Sequence, residues 1–60
     1  MVSQYVILHI YRTYDVAEDY DNYVVNILGV RGEYRDAENF RTWCIKEYDL
    51  SPNNVKVINV

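Results

Sequence analysis

Asp19 and Asp21 have the spacing of the first two oxygen ligands of a calcium-binding loop. Such a loop needs a third oxygen ligand two residues on, a glycine at its sixth position and a glutamate at its twelfth. Tyr23, Val24 and Val30 hold those places, so the pair reads as part of a solvated acidic turn. His9, the single histidine, is of a type that serves as general base or metal ligand. No cysteine or carboxylate lies near it in the sequence, and its setting in a strand-like run predicts a structural role. Cys44, the single cysteine, cannot form a disulfide within the chain and falls on the apolar stripe of a helical segment, where a thiol acts as a small hydrophobe. Phe40 and Trp43 read as packing groups, and Arg31-Gly32-Glu33 as backbone geometry at Gly32. No glycine-rich phosphate cradle, nucleophile elbow or zinc-ligand spacing occurs. The expectation is a protein with no catalytic residue, no metal and no cofactor, and not an enzyme.

What remains is a concentration of acid and tyrosine. "YDVAEDYDNY", residues 14–23, sets Asp15, Glu18, Asp19 and Asp21 among Tyr14, Tyr20 and Tyr23 without a lysine or arginine. Residues 1–12 carry a net +1, residues 13–30 carry −4 and residues 31–60 are neutral. A field of that sign repels phosphates and attracts basic surfaces, which argues against direct nucleic-acid binding. Seven of the 60 residues are tyrosine, a side chain suited to interfaces because it covers much area with few rotatable bonds and ends in a polar tip.

Sixty residues make one domain at most, and a chain of that size buries only about 60% of the surface its unfolded form exposes. Half of the residues are hydrophobic and a quarter charged, with two glycines and one proline, a globular composition. With neither disulfide nor metal to staple it, so small a domain calls for unusual packing or self-association. Met1 to Gln4 lack the basic start of a signal peptide, and no apolar run approaches the roughly 18 residues of a membrane span. We expect an intracellular, cytoplasmic protein with no membrane partner.

These residues must be placed by a few elements. "QYVILHIYRTY", residues 4–14, alternates Val6, Leu8 and Ile10 with Tyr5, Ile7, His9 and Tyr11, a strand with two usable faces. "VKVINV", residues 55–60, follows Pro52-Asn53-Asn54 and reads as a short strand. Between them Asp36 is placed to N-cap a helix that aligns Ala37, Phe40, Cys44 and Tyr48, ending before Pro52. Residues 15–28 also carry a helical stripe, which would give a β-α-α-β chain. Tyr23, Val24, Val25 and Ile27 favour instead a strand over residues 22–34, with Gly29 and Gly32 marking a bulge or bend. The preferred reading is an α+β domain of β-β-α-β order: a three-stranded antiparallel sheet with one covering helix.

In that arrangement the acidic decapeptide is a hairpin tip. The helix is expected to cover Val6, Leu8, Ile10, Val25, Ile27 and Val57, leaving Tyr5, Ile7, His9, Tyr11, Leu28 and Val30 as an open face. A tiny acidic α+β protein without an active site resembles, in size and character alone, phage-encoded inhibitors of host enzymes or defence systems. The expected function is a protein-binding module, an inhibitor that lays its acidic tip or Tyr-rich face on a basic, nucleic-acid-handling surface of a partner protein. Its expected contact residues are Asp15, Glu18, Asp19, Asp21, Tyr14, Tyr20, Tyr5, Ile7, His9 and Tyr11. The alternatives are a homodimer built on the uncovered face and, third, single-stranded nucleic-acid binding through Tyr5 and Tyr11.

Overall fold

The computed structural model describes residues 3–60. Strands β1 (Tyr5–Asp15) and β2 (Tyr20–Arg31) form an antiparallel hairpin paired from Asp15 opposite Tyr20 to Tyr5 opposite Arg31. Helix α1 (Tyr34–Glu47) and a 3-10 turn at Pro52–Asn54 lead to β3 (Val55–Asn59), which returns antiparallel along the other side of β1. The three-stranded sheet has the order β2-β1-β3 with a single helix over it, the β-β-α-β arrangement the sequence predicts. The helical stripe of residues 15–28 is not used. Tyr20, Tyr23, Val24, Val25 and Ile27 form β2 instead, where each finds a cross-strand partner on β1.

The hairpin turns on its own acids. The Asp15 carboxylate accepts hydrogen bonds from the backbone N–H groups of Ala17 (3.0 Å) and Glu18 (3.3 Å), and the Asp19 N–H donates to the Asp15 carbonyl at 2.7 Å. Asp19 then takes a left-handed conformation, φ 57°, which aspartate tolerates better than most residues.

The expected bulge is present in β2. Ile7 faces Gly29 and Leu8 faces Ile27, so Leu28 is the extra residue. Gly29 is there for room: a Cβ on it would stand 2.6 Å from Phe40 Cε2 and 3.1 Å from Cζ. Gly32 has open space around it and lies in the expected bend between β2 and α1, and neither glycine has a positive φ.

Helix α1 starts earlier than predicted. Its N-cap is Glu33, which makes no side-chain capping bond, and Asp36 lies in the first turn, where the macrodipole favours a carboxylate. At the other end the Leu50 N–H bonds to the Ile45 carbonyl at 3.0 Å, and Asp49 between them is left-handed, φ 53°. That is a Schellman motif, completed by the packing of both Ile45 and Leu50 on the core.

The core lies between α1 and one face of the sheet. Ile7, Ala37, Cys44 and Val55 are fully buried, and Tyr5, Leu28, Phe40, Ile45, Leu50 and Val57 pack around them. This reverses the expected faces: of the six sheet residues predicted beneath the helix, Val57 alone packs on this core. β3 supplies the physical reason. Lys56 alternates with Val55 and Val57, and a lysine under the helix would be a buried unpaired charge, so the two valines take that side. The register sets Val57 opposite Ile7 and Lys56 opposite Leu8, which carries Ile7 inward and Leu8 outward. Trp43, expected in the core, is 50% exposed, stacked on Phe40 (ring centroids 5.9 Å apart) and edge-on to Tyr48 (5.7 Å).

Candidate functional site

β3 pairs with β1 only from Tyr5 to His9. Beyond that point the hairpin continues as a two-stranded ribbon, residues 10–25, that projects past both β3 and the residues beneath α1. This arm accounts for the elongated outline of 45 × 27 × 14 Å. It carries Arg12 against Asp15, Glu18, Asp19 and Asp21, a net −3 that equals the charge of the whole chain. The remainder of the molecule is neutral.

The structure brings six predicted contact residues to the end of the arm and divides them between its surfaces. Asp15 and Tyr20 are paired on the face continuous with the helix side, Tyr14 and Asp21 on the opposite face, and Glu18 and Asp19 are in the turn. Several of these acids have local partners. The Asp15 carboxylate shapes the turn, the Tyr14 hydroxyl donates to Asp19 Oδ1, and Arg12 Nε lies 3.7 Å from Asp21 Oδ1. Among the described residues the Glu18 side chain has neither hydrogen bond nor ion pair. The bond to Asp19 and slight desolvation raise the Tyr14 hydroxyl above its ordinary 10.0, so it stays a donor at neutral pH. The Arg12 pair is exposed on both sides and contributes little to stability. These contacts order the carboxylates without neutralising the excess, since one cation stands against four acids.

The second predicted group is not an open face. Ile7 is fully buried in the core, and Tyr5 packs beside it with its ring edge-on to Tyr34 at 5.6 Å. The Glu38 carboxylate one helical turn on raises the Tyr34 hydroxyl. His9 and Tyr11 lie on the same face further along the ribbon and contact each other, centroids 5.0 Å apart. The expected Tyr5, Ile7, His9, Tyr11 platform is therefore closed at its base by α1.

The surface actually left open is the other face, which holds five of the residues expected beneath the helix (Val6, Leu8, Ile10, Val25 and Ile27) together with Val30, expected to be open, as it is. Val6, Leu8 and Ile10 run along its centre on β1, Val25, Ile27 and Val30 along β2, and Ile58 on β3. Ile27 is 69% and Val25 55% exposed. The signal that could have found this face is Lys56 between two valines, read together with the parity of the β1–β3 pairing.

Cys44 is buried and burial pushes its thiol up, opposed only in part by Arg31, which keeps it unreactive. Among the described residues there is no pocket and no cluster of three His, Cys, Asp or Glu that could hold a metal ion. No helix is long and apolar enough to cross a membrane. No family model matches this chain, and neither a curated protein nor a solved structure is similar to it.

Proposed function

We propose that this chain is a protein-binding module that presents its projecting hairpin arm to a basic surface of a partner protein. The observation that carries this is the separation of charge from structure: the ribbon holds the entire net charge, while the charges on the rest of the molecule sum to zero. Tyr14, Tyr20 and Tyr23 stand exposed along the same ribbon and supply contact area of the type that dominates protein interfaces. The turn is ordered before any partner arrives, since Asp15 and Asp19 are fixed by their own hydrogen bonds. A pre-ordered anionic contact loses less conformational entropy on binding. Carboxylates presented in this way imitate a short run of phosphates, so the partner class is a protein that handles nucleic acid and the effect of binding is inhibition.

The test is capture from a lysate of the cells that make the chain, with the wild type and a variant bearing Asp15→Asn, Glu18→Gln, Asp19→Asn and Asp21→Asn as baits. Proteins retained by the wild type should elute with rising salt and be absent from the variant, and they should be basic. Retention of the same proteins by both baits with the same salt dependence sinks the proposal. Because Asp15 and Asp19 also shape the turn, Glu18→Gln with Asp21→Asn is the control that leaves those bonds in place; it should lose part of the salt dependence.

A further inference from the structure

We infer that the open sheet face is the contact surface for a second copy of this chain. Val6, Leu8 and Ile10 on β1, half-buried between exposed Val25 and Ile27 on β2 and Ile58 on β3, form a continuous aliphatic surface on the side of the sheet away from α1 among the described residues. The molecule is only 14 Å through its thinnest direction, one sheet and one helix among the described residues, so they put no third layer on this face. A compact monomer of this mass exposes about 4,100 Å², whereas this chain exposes 4704 Å². That excess is shared between the open face and the projecting ribbon, and a standard stable interface removes roughly 800 Å² per partner from water.

Two features select a second copy over an unlike partner. The charged groups on the face, Arg12, Asp21 and Lys56, sit around its aliphatic centre and sum to +1, so the surface prefers neither an acidic nor a basic partner. An aliphatic patch free of charge at its centre complements itself, which is what an isologous twofold contact requires, and such apolar centres characterise homodimer interfaces. The other feature is the size of the core. Four fully buried residues are few for a domain that has no disulfide among its described residues, and oligomerisation is a common remedy at this length. Face-to-face pairing would create a second apolar layer between the sheets and a four-layer helix, sheet, sheet, helix sandwich. The arm's acidic turn lies outside this contact.

The experiment is sedimentation equilibrium of the full chain from low to high micromolar concentration. The wild type should have twice the 7.2 kDa chain mass. Val25→Lys with Ile27→Lys should have the single-chain mass and keep the helix and strand signals in circular dichroism, because both positions are exposed in the single chain. Should that variant fail to fold, Val25→Thr with Ile27→Thr, which keeps strand propensity, should still raise the dimer dissociation constant at least tenfold. A tip variant with Asp15→Asn, Glu18→Gln and Asp19→Asn, which leaves Asp21 on the face in place, should remain dimeric, which separates this inference from the proposal about the arm. A monomeric wild type at high micromolar concentration overturns it, as do face variants that dimerise like the wild type or a tip variant that alone dissociates.

Discussion

Asp49 occupies the left-handed position that closes α1, φ 53°, a place usually held by glycine, since a side chain there costs about 1–2 kcal/mol. Its carboxylate also faces the negative end of the helix dipole. Asp49→Gly should therefore raise stability by about 1 kcal/mol, read as a higher denaturant midpoint with an unchanged slope. Gly29 makes the opposite case, because the space a Cβ would need is filled by the Phe40 ring. That ring is itself held between Trp43 and the Arg31 guanidinium, 4.0 Å from its centroid. Gly29→Ala should cost about 1–3 kcal/mol by overpacking, whereas Gly32→Ala, in open space, should stay within about 0.5 kcal/mol of the wild type. Cys44 sets the response to alkali. Burial raises its thiol above the ordinary 9.0, so the fold favours the protonated form; this stabilisation is complete below pH 9 and is lost as pH rises through the raised value. Urea midpoints should fall as pH climbs past 9, and Cys44→Ala should flatten the first part of that decline. The raised Tyr14 and Tyr34 hydroxyls act in the same direction from pH 10 upward.

Among the elements, β3 depends most on a single side chain. Arg41 on α1 donates from Nε to the Val55 carbonyl at 2.9 Å and from Nη2 to the Pro52 carbonyl at 2.8 Å, tying the last strand and its lead-in turn to the helix. Arg41→Ala should cost roughly 1–3 kcal/mol, as expected for a charge-assisted bond to the partly buried Val55 carbonyl with a weaker, exposed one to Pro52, and should expose β3 amides to exchange before those at the centre of β1. Among the described residues the arm has neither a third strand nor a helix over it, so its amides should exchange through local opening at lower free energy than those around Ile7 and Val55. The existence and order of all four elements were legible in the sequence, because alternation, β-branching and the Pro52 stop are local signals. The helix start was not. Asp36 is a better capping residue than Glu33, yet Tyr34 enters the helix, where its ring packs edge-on against Tyr5 of β1, and that contact is tertiary.

For the whole molecule, the sequence left open which face the helix covers. Both faces of β1 are apolar, so burial could not be assigned until the β3 register set Val57 opposite Ile7 and a bulge at Leu28 shifted the phase of β2. The acidic tip was legible because its chemistry lies in consecutive residues, while the open aliphatic face comes from three separate strands and emerges only from their pairing. One inverted assignment has a direct test: Val25→Asp, which would be severe beneath a helix, should cost little in the stability of the single chain, since Val25 is 55% exposed. The distribution of charge along the 45 Å axis has a dynamic consequence as well. A neutral base and a tip of −3 make the chain an electric lever, on which the field of a basic surface exerts a torque before contact is made. Tumbling near such a surface would be biased towards tip-first approach, so a larger share of encounters would arrive in the productive orientation, and added salt would slow association more than it hastens release.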